Sequence, residues 1–509
     1  MKISRIKNQW WPGVLVLVAA SLTGCLDSRP ERQALDESAG FALTGVNVID
    51  GRSGESKTGY TVVVRNGRID SVEPDRTVQL DDIKEIKSDG KFLIPGLWDL
   101  HAHTFADGAV YELYLEAGVT TIRDMGCPAE CTRKMQRDRT ARKSEPTRSP
   151  RLIIAGPMID GDSPYDAYAS HHQVSLETIP DAIRMLQDLQ VDFVKIRDFL
   201  SADEFYAIAD AANKAGLKFA GHNPTAIPAS EAIRAGMTTV EHEGSLFGGL
   251  LLAASSNETQ LRQQMLVYMK EAVATGDIEG LYARALGAEY LGNVVASYDA
   301  AKAADLVQSF VDSGAAIVPT FIVQDPQLRS ANPVFNGRDR EEDAAMQMVP
   351  GDLLESWRER AATYVLDQPF PAEDLAAMAD HYELLVLLVR EMHRAGVPVL
   401  AGTDAAFPDG TPWIWPGFGL HDELELLVEA GLSPAEAIAA ASGRAASHLG
   451  IAGVGTIEAG NAADMVLLTA DPLADIRNTT KIADVIIGGE FVDREAIAQR
   501  RADLFAGDQ

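Results

Sequence analysis

Pro95-Gly96-Leu97-Trp98-Asp99-Leu100-His101-Ala102-His103 closes an apolar run that begins at Phe92, and it ends on two histidines two residues apart. Side chains at i and i+2 of a strand share a face, so both imidazoles reach one cation. Lys195, His222, His242 and Asp404 each stand at the end of a further short β-like run followed by a helical stretch. Packing alone does not put ligand-capable residues at one strand end after another. The pattern predicts a metal-centred active site.

The fold follows from the runs that carry these residues. Apolar strand, loop and amphipathic helix repeat, with strands predicted at 119–123, 151–155, 192–196, 217–221, 238–241, 315–320 and 397–402. With the strand ending at His103 that makes an α/β chain with a (β/α)8 TIM barrel, whose active site lies at the C-terminal strand ends. Alternating Val, Ile and Thr with Asp-Gly and Asn-Gly turns fill residues 41–70, and short strands return near 463–468 and 484–489. The two ends therefore build a small β-sandwich domain. The expected parts are the β-sandwich from 41–94 and 451–509 and the barrel from 95–450. Helical insertions are expected at about 245–313 and 325–395. Insertions after barrel strands sit on the active-site face, as a lid, a pocket wall or an oligomer interface.

The 509 residues carry 46% hydrophobic and 23% charged side chains, the balance of a globular enzyme with a large core. A net charge of −29 argues against a nucleic-acid partner and against direct binding to an anionic membrane. Residues 1–24 read as an export signal: Lys2, Arg5 and Lys7 precede an apolar stretch from Val14 to Ala20. That stretch, about ten apolar residues, is too short to span a bilayer permanently. Leu22-Thr23-Gly24-Cys25 resembles the bacterial lipoprotein processing box, which implies lipidation of Cys25. Leu26 in place of aspartate then implies the outer membrane, facing the periplasm, with residues 25–40 as a tether. An ordinary cleaved signal peptide is the alternative. Cys127 and Cys131 are the remaining cysteines, and an oxidising compartment favours a disulfide between them over a thiolate metal site.

The stretch from Pro95 to His103 resembles the first-strand motif of the amidohydrolase superfamily. Val194-Lys195-Ile196, Ala220-Gly221-His222, Val240-Glu241-His242-Glu243 and Ala401-Gly402-Thr403-Asp404-Ala405 resemble its fourth, fifth, sixth and eighth strand motifs in order. The resemblance covers about residues 41–495, and its nearest branch is the imidazolonepropionase-like group with prolidase-like dipeptidases. It implies two divalent ions, zinc by donor type, held by His101, His103 and Asp404 and by His222 and His242. Carbamylated Lys195 would bridge them. A metal-bridged hydroxide would then attack an amide, with Asp404 shuttling the proton. Dipeptides or N-acyl amino acids are the implied substrates.

Substrate contacts are expected from His172, which the family places after the third strand, with neighbouring His171 as its alternative. Arg123 and Arg197 are candidates for a substrate carboxylate or for structural ion pairs. Trp413, Trp415 and Phe418 read as an apolar pocket or a packed loop. His381, His393, His421 and His448 read as structural. Three rival readings stay open: an ester, lactone or cyclic-imide hydrolase on the same site, a mononuclear enzyme with Lys195 unmodified, and a non-catalytic binding lipoprotein. A small molecule is the expected partner, with a homo-oligomer also compatible.

Overall fold

The computed structural model describes residues 40–506 apart from 53, 79, 81, 82, 165–169, 245–248, 326–333, 336, 337, 341, 342, 344, 364–368, 408 and 409. The expected signal peptide, the tether up to residue 39 and Cys25 lie outside the described residues. The chain opens with β1 (Phe41–Ile49), β2 (Ser56–Arg65), β3 (Arg68–Pro74), β4 (Lys84–Lys87) and β5 (Phe92–Pro95). Asn66 and Gly67 turn β2 into β3, both at positive φ (50° and 73°). That is the backbone a two-residue hairpin needs, and asparagine followed by glycine adopts it most readily.

The middle of the chain supplies β6 (Leu97–His103), β7 (Val119–Asp124), β8 (Arg151–Ile154), β9 (Met158–Asp160), β10 (His171–Gln173), β11 (Phe193–Ile196), β12 (Lys218–Gly221), β13 (Met237–Glu241) and β14 (Ala316–Val318). A small hairpin of β15 (Val334–Phe335) and β16 (Arg338–Asp339) follows, then β17 (Ala405–Ala406). The chain closes with β18 (Met465–Leu468), β19 (Ile482–Ile487) and β20 (Glu490–Phe491).

Both ends meet in one eight-stranded sheet, ordered β20-β19-β18-β5-β1-β2-β3 with β4 beside β1. Its inward residues, among them Leu43, Val62, Leu93, Met465 and Ile486, form a core of their own. The antiparallel pairing of β18 with β5 sets Leu467 opposite Leu93, so residues late in the chain complete a sheet that begins at Phe41.

The middle strands form two sheets of parallel neighbours, β17-β6-β7-β8 and β10-β9-β11-β12-β13-β14. β7 and β11 are buried along their whole length, as strands covered on both faces are. Hydrogen bonds also cross between the two sheets. Asp192 N–H donates to Ile154 O at 2.8 Å on one side. On the other, Val399 bridges Ile317, and Leu100 N–H donates to Ala401 O at 3.0 Å. Residues 397–402, expected as a strand, make only that bridge. Pro398 has no N–H to give to a ladder, which interrupts regular pairing there.

Helices take up the intervals with local signals of their own. Ala202–Lys214 starts at a capping box in which Ser201 and Glu204 satisfy each other's backbone N–H. The expected insertions are helical: Gly249–Ala253, Glu258–Thr275, Ile278–Ala285 and Ala288–Ala296 in the first, and Gly351–Thr363 and Ala372–Arg394 in the second. They are tied together where Ala288 N–H donates to Asp374 at 2.7 Å. No helix among the described residues is long and apolar enough to cross a membrane.

Candidate metal centre

The C-terminal ends of β6, β11, β12 and β13 and the residue before β17 bring together His101, His103, Lys195, His222, His242 and Asp404. One oxygen of Asp404, Oδ1, lies 3.3 Å from both His101 Nε2 and His103 Nε2, and Oδ2 lies 4.0 Å from His242 Nε2. Donor atoms of His101, His103 and Asp404 all fall within 4.8 Å of one another, the spacing of ligands around one ion. The His242 ring stands 4.6 Å from that of His101 and 4.9 Å from that of His222. Asp404 thus faces two groups of imidazoles with its two oxygens.

Each histidine is held from behind through Nδ1. His101 pairs with Glu241 at 2.9 Å and His222 with Asp198 at 2.7 Å. His103 bonds Gly126 O at 3.1 Å, and His242 bonds Thr320 Oγ1 at 2.6 Å. With Nδ1 engaged in this way, Nε2 is the atom turned to the centre, the arrangement that fixes tautomer and orientation in metal-ligating histidines. Burial holds His101 and His222 well below the usual imidazole range and His242 at about 4, so neutral rings face inward. Burial works to raise the Asp404 carboxyl, but His101, His103 and His242 around it hold it well below the usual carboxylate range.

Lys195 is fully buried, and its Nζ has no hydrogen-bond partner among the described residues. Burial lowers it to about 7, with Arg197 and Arg123 opposing its charge and Glu241 and Asp404 favouring it. Its stem needs the space beside Gly221, where a Cβ would stand 2.8 Å from Lys195 Cδ and 2.3 Å from Ile196 O. Glycine before His222 is therefore a packing requirement. His222 Nε2 is likewise buried without a hydrogen-bond partner.

Of the candidate substrate contacts, Arg123 takes up the structural ion pair that was its alternative. Arg123 is buried beneath the centre, not open to it: Nε donates to Leu100 O, and the terminal nitrogens go to Thr239 Oγ1 and, at 2.8 Å, to Glu241. Its work is to carry the carboxylate that orients His101. Of the β10 histidines it is His171, not His172, that shares the surroundings of Arg197, His103, Asp198 and Lys195; burial, then Arg197, lowers it to about 3. His172 is half-buried, lowered by burial alone. Alternation along a strand explains the difference, because adjacent residues face opposite sides. Arg197 stays near the centre with its NH2 3.6 Å from Asp198.

Trp413 and Trp415 are fully buried and stand edge-on to Trp357, so they belong to a packed loop and not to an open pocket. His421 is bonded to Thr479 and Ala117 O, His448 to Thr238 O, and His381 and His393 lie 3.2 Å and 3.4 Å from Glu243 and Glu436. Cys127 and Cys131 are disulfide-bonded, with Cα atoms 5.9 Å apart. Glu241, Asp198 and Thr320 were not anticipated as site residues. The usable signal for the first two was an acid directly before His242 and another three residues after Lys195. Thr320 had none.

A family model described as "Amidohydrolase family" matches residues 386–492, a segment that includes Asp404. No curated protein matches the chain significantly. Among solved structures, a bottromycin amidohydrolase is 20% identical with a TM-score of 0.65, covering 93% of this chain and 91% of its own. A Xaa-Pro dipeptidase with bound methionine in the active site is 18% identical with a TM-score of 0.59, covering 89% and 99%. The A. niger ochratoxinase is 16% identical with a TM-score of 0.60, covering 90% and 96%. At these identities the likeness is one of fold.

Proposed function

We propose that this chain is a metal-dependent hydrolase of a carbon–nitrogen bond, acting on an amide in a dipeptide or an N-acyl amino acid. The observation that carries the reading is Asp404 set between two groups of imidazoles whose Nδ1 atoms are all engaged elsewhere. The amidohydrolase-family segment around Asp404 and the fold shared with hydrolases support an enzyme acting on such bonds. Likeness to a Xaa-Pro dipeptidase supports the dipeptide substrate. The hydrogen bonds across both seams support joining β6, β7, β8, β11, β12, β13, β14 and residues 397–402 into one eight-stranded barrel.

The donor set suits zinc. Unpartnered Nζ of Lys195 and Nε2 of His222, both buried, fit a site completed by a bound group, since buried polar atoms are otherwise paired. In this reading His101, His103 and Asp404 would hold one ion, and His222 and His242 would hold a second. Lys195, with a nitrogen lowered to about 7, would add carbon dioxide, forming an N–C bond and releasing a proton, and would so offer the site a carboxylate. Bound there, two ions would supply polarisation of a scissile carbonyl and a more acidic water. Asp404 accepts the proton from the attacking water and returns it to the leaving nitrogen. Arg197 and His171, beside the centre, are the groups placed to meet a substrate carboxylate. The lipoprotein-type signal supports an outer-membrane anchor at Cys25.

The test is elemental analysis and turnover of purified protein lacking residues 1–25. About two ions per chain are expected. Asp404→Asn should abolish dipeptide and acyl-amino-acid hydrolysis, and Lys195→Ala should lose most of the metal. Full activity in either variant would sink the mechanism. Turnover of lactones or esters, but of no amide, would transfer the site to the rival hydrolase reading. One ion per chain would favour the mononuclear form, and no ion even with zinc and bicarbonate would favour a binding protein.

A further inference from the structure

His242, Thr320 and Asp404 lie where β13, β14 and residues 397–402 end, and all three have left-handed backbones, with φ of 57°, 46° and 54°. Histidine and aspartate tolerate that region; a β-branched threonine is an outlier there. Something must therefore hold Thr320 in place. Glu423, fully buried on the helix Phe418–Glu429, accepts the next two backbone N–H groups, Phe321 on Oε1 at 3.0 Å and Ile322 on Oε2 at 2.9 Å. Both carboxylate oxygens are thus spent on the turn that follows Thr320.

The strained conformation directs one hydroxyl. Thr320 Oγ1 lies 2.8 Å from Pro319 O, an acceptor only, so the single hydroxyl hydrogen is donated there. Toward His242 Nδ1, at 2.6 Å, Oγ1 must then accept, and the ring proton sits on Nδ1. Nε2 is left with its lone pair toward Asp404 Oδ2.

We propose that Thr320 and Glu423 are positioning residues that fix His242 in its Nδ1-protonated tautomer and so present Nε2 as a ligand. The metal-binding consequence rests on the reading of the centre given above; the tautomer does not. Two readouts separate them. Ring-15N histidine NMR of metal-free protein reads the tautomer, with His242→Gln to assign the signal. Nδ1–H is expected in the wild type and in Thr320→Ser, and is expected to be lost or mixed in Thr320→Val. Chelator competition on the metal-loaded protein reads affinity. Thr320→Val should weaken one of the ions about 10–100-fold, as loss of a partner behind a ligand does, and Thr320→Ser should restore it.

Thr320→Val with an unchanged His242 tautomer overturns the proposal. So does a protein that binds metal with wild-type affinity in that variant. If Thr320→Val fails to fold, Glu423→Gln decides: weakened metal binding or a mixed tautomer supports the proposal, and wild-type values for both overturn it. A wild type that binds no metal ends the reading of the centre, and the tautomer comparison alone then judges the role of Thr320.

Discussion

Arg123 lies within β7 and Arg197 directly follows β11, yet the two arginines differ in burial and in partners. Arg123 is 1% exposed and spends its donors on Leu100, Thr239 and Glu241, whereas Arg197 lies beside Asp198 and His171. Asp160, in the same neighbourhood, gives a pH prediction. Burial raises its carboxyl from 3.8 to about 7, against the pull of Arg197. Between those values the folded chain keeps a proton that the unfolded chain has released. Stability should therefore fall as pH rises from about 4 to about 7 and level off above. Asp160→Asn keeps the Oδ1 that accepts Gly161 N–H and Phe199 N–H. Urea denaturation across that range should show a flatter pH dependence in the variant. An identical slope would mean that Asp160 does not titrate there.

At the scale of elements, the centre depends on how closely strand ends approach. Gly402 packs against β6 and β14: a Cβ there would stand 2.8 Å from His101 N, 2.9 Å from His101 Cβ and 2.7 Å from Val318 Cγ1. Gly402→Ala should therefore cost about 1–3 kcal/mol through overpacking. The cost falls on the strand end that carries His101, so metal content should drop as well. Denaturation with elemental analysis checks both; normal stability together with full metal content would mean the strands part without consequence. The same closeness explains why residues 397–402 read as a strand yet form only a bridge. Their apolar pattern matches a buried strand, while Pro398 and the left-handed Asp404 take them out of the ladder.

For the whole molecule, the twenty strands among the described residues lie between residues 41 and 491. The anchor proposed at Cys25 precedes that span in sequence. Cys25→Ser, expressed in a bacterial host that lipidates exported proteins, should move the protein from the membrane to the soluble periplasmic fraction. Metal content and turnover per molecule should not change. Continued membrane association would rule out Cys25 as the anchor. The net charge of −29 fits a body that does not itself bind an anionic membrane surface.

The sequence by itself determined the α/β repeat, the β-rich ends and the metal-site candidates. These depend on period and on residue type: strand alternation puts His101 and His103 on one face, and glycine with histidine or aspartate closes run after run. It could not determine which neighbours hold those residues. Glu241 behind His101, Asp198 behind His222 and Thr320 behind His242 become partners only when separate strands lie side by side. For the same reason the sequence left open whether Arg123 meets a substrate or an ion-pair partner, and which of His171 and His172 lies nearer the centre. Whether a polar side chain at a strand end faces the centre, the core or solvent is set by register and burial, and those exist only in the folded chain.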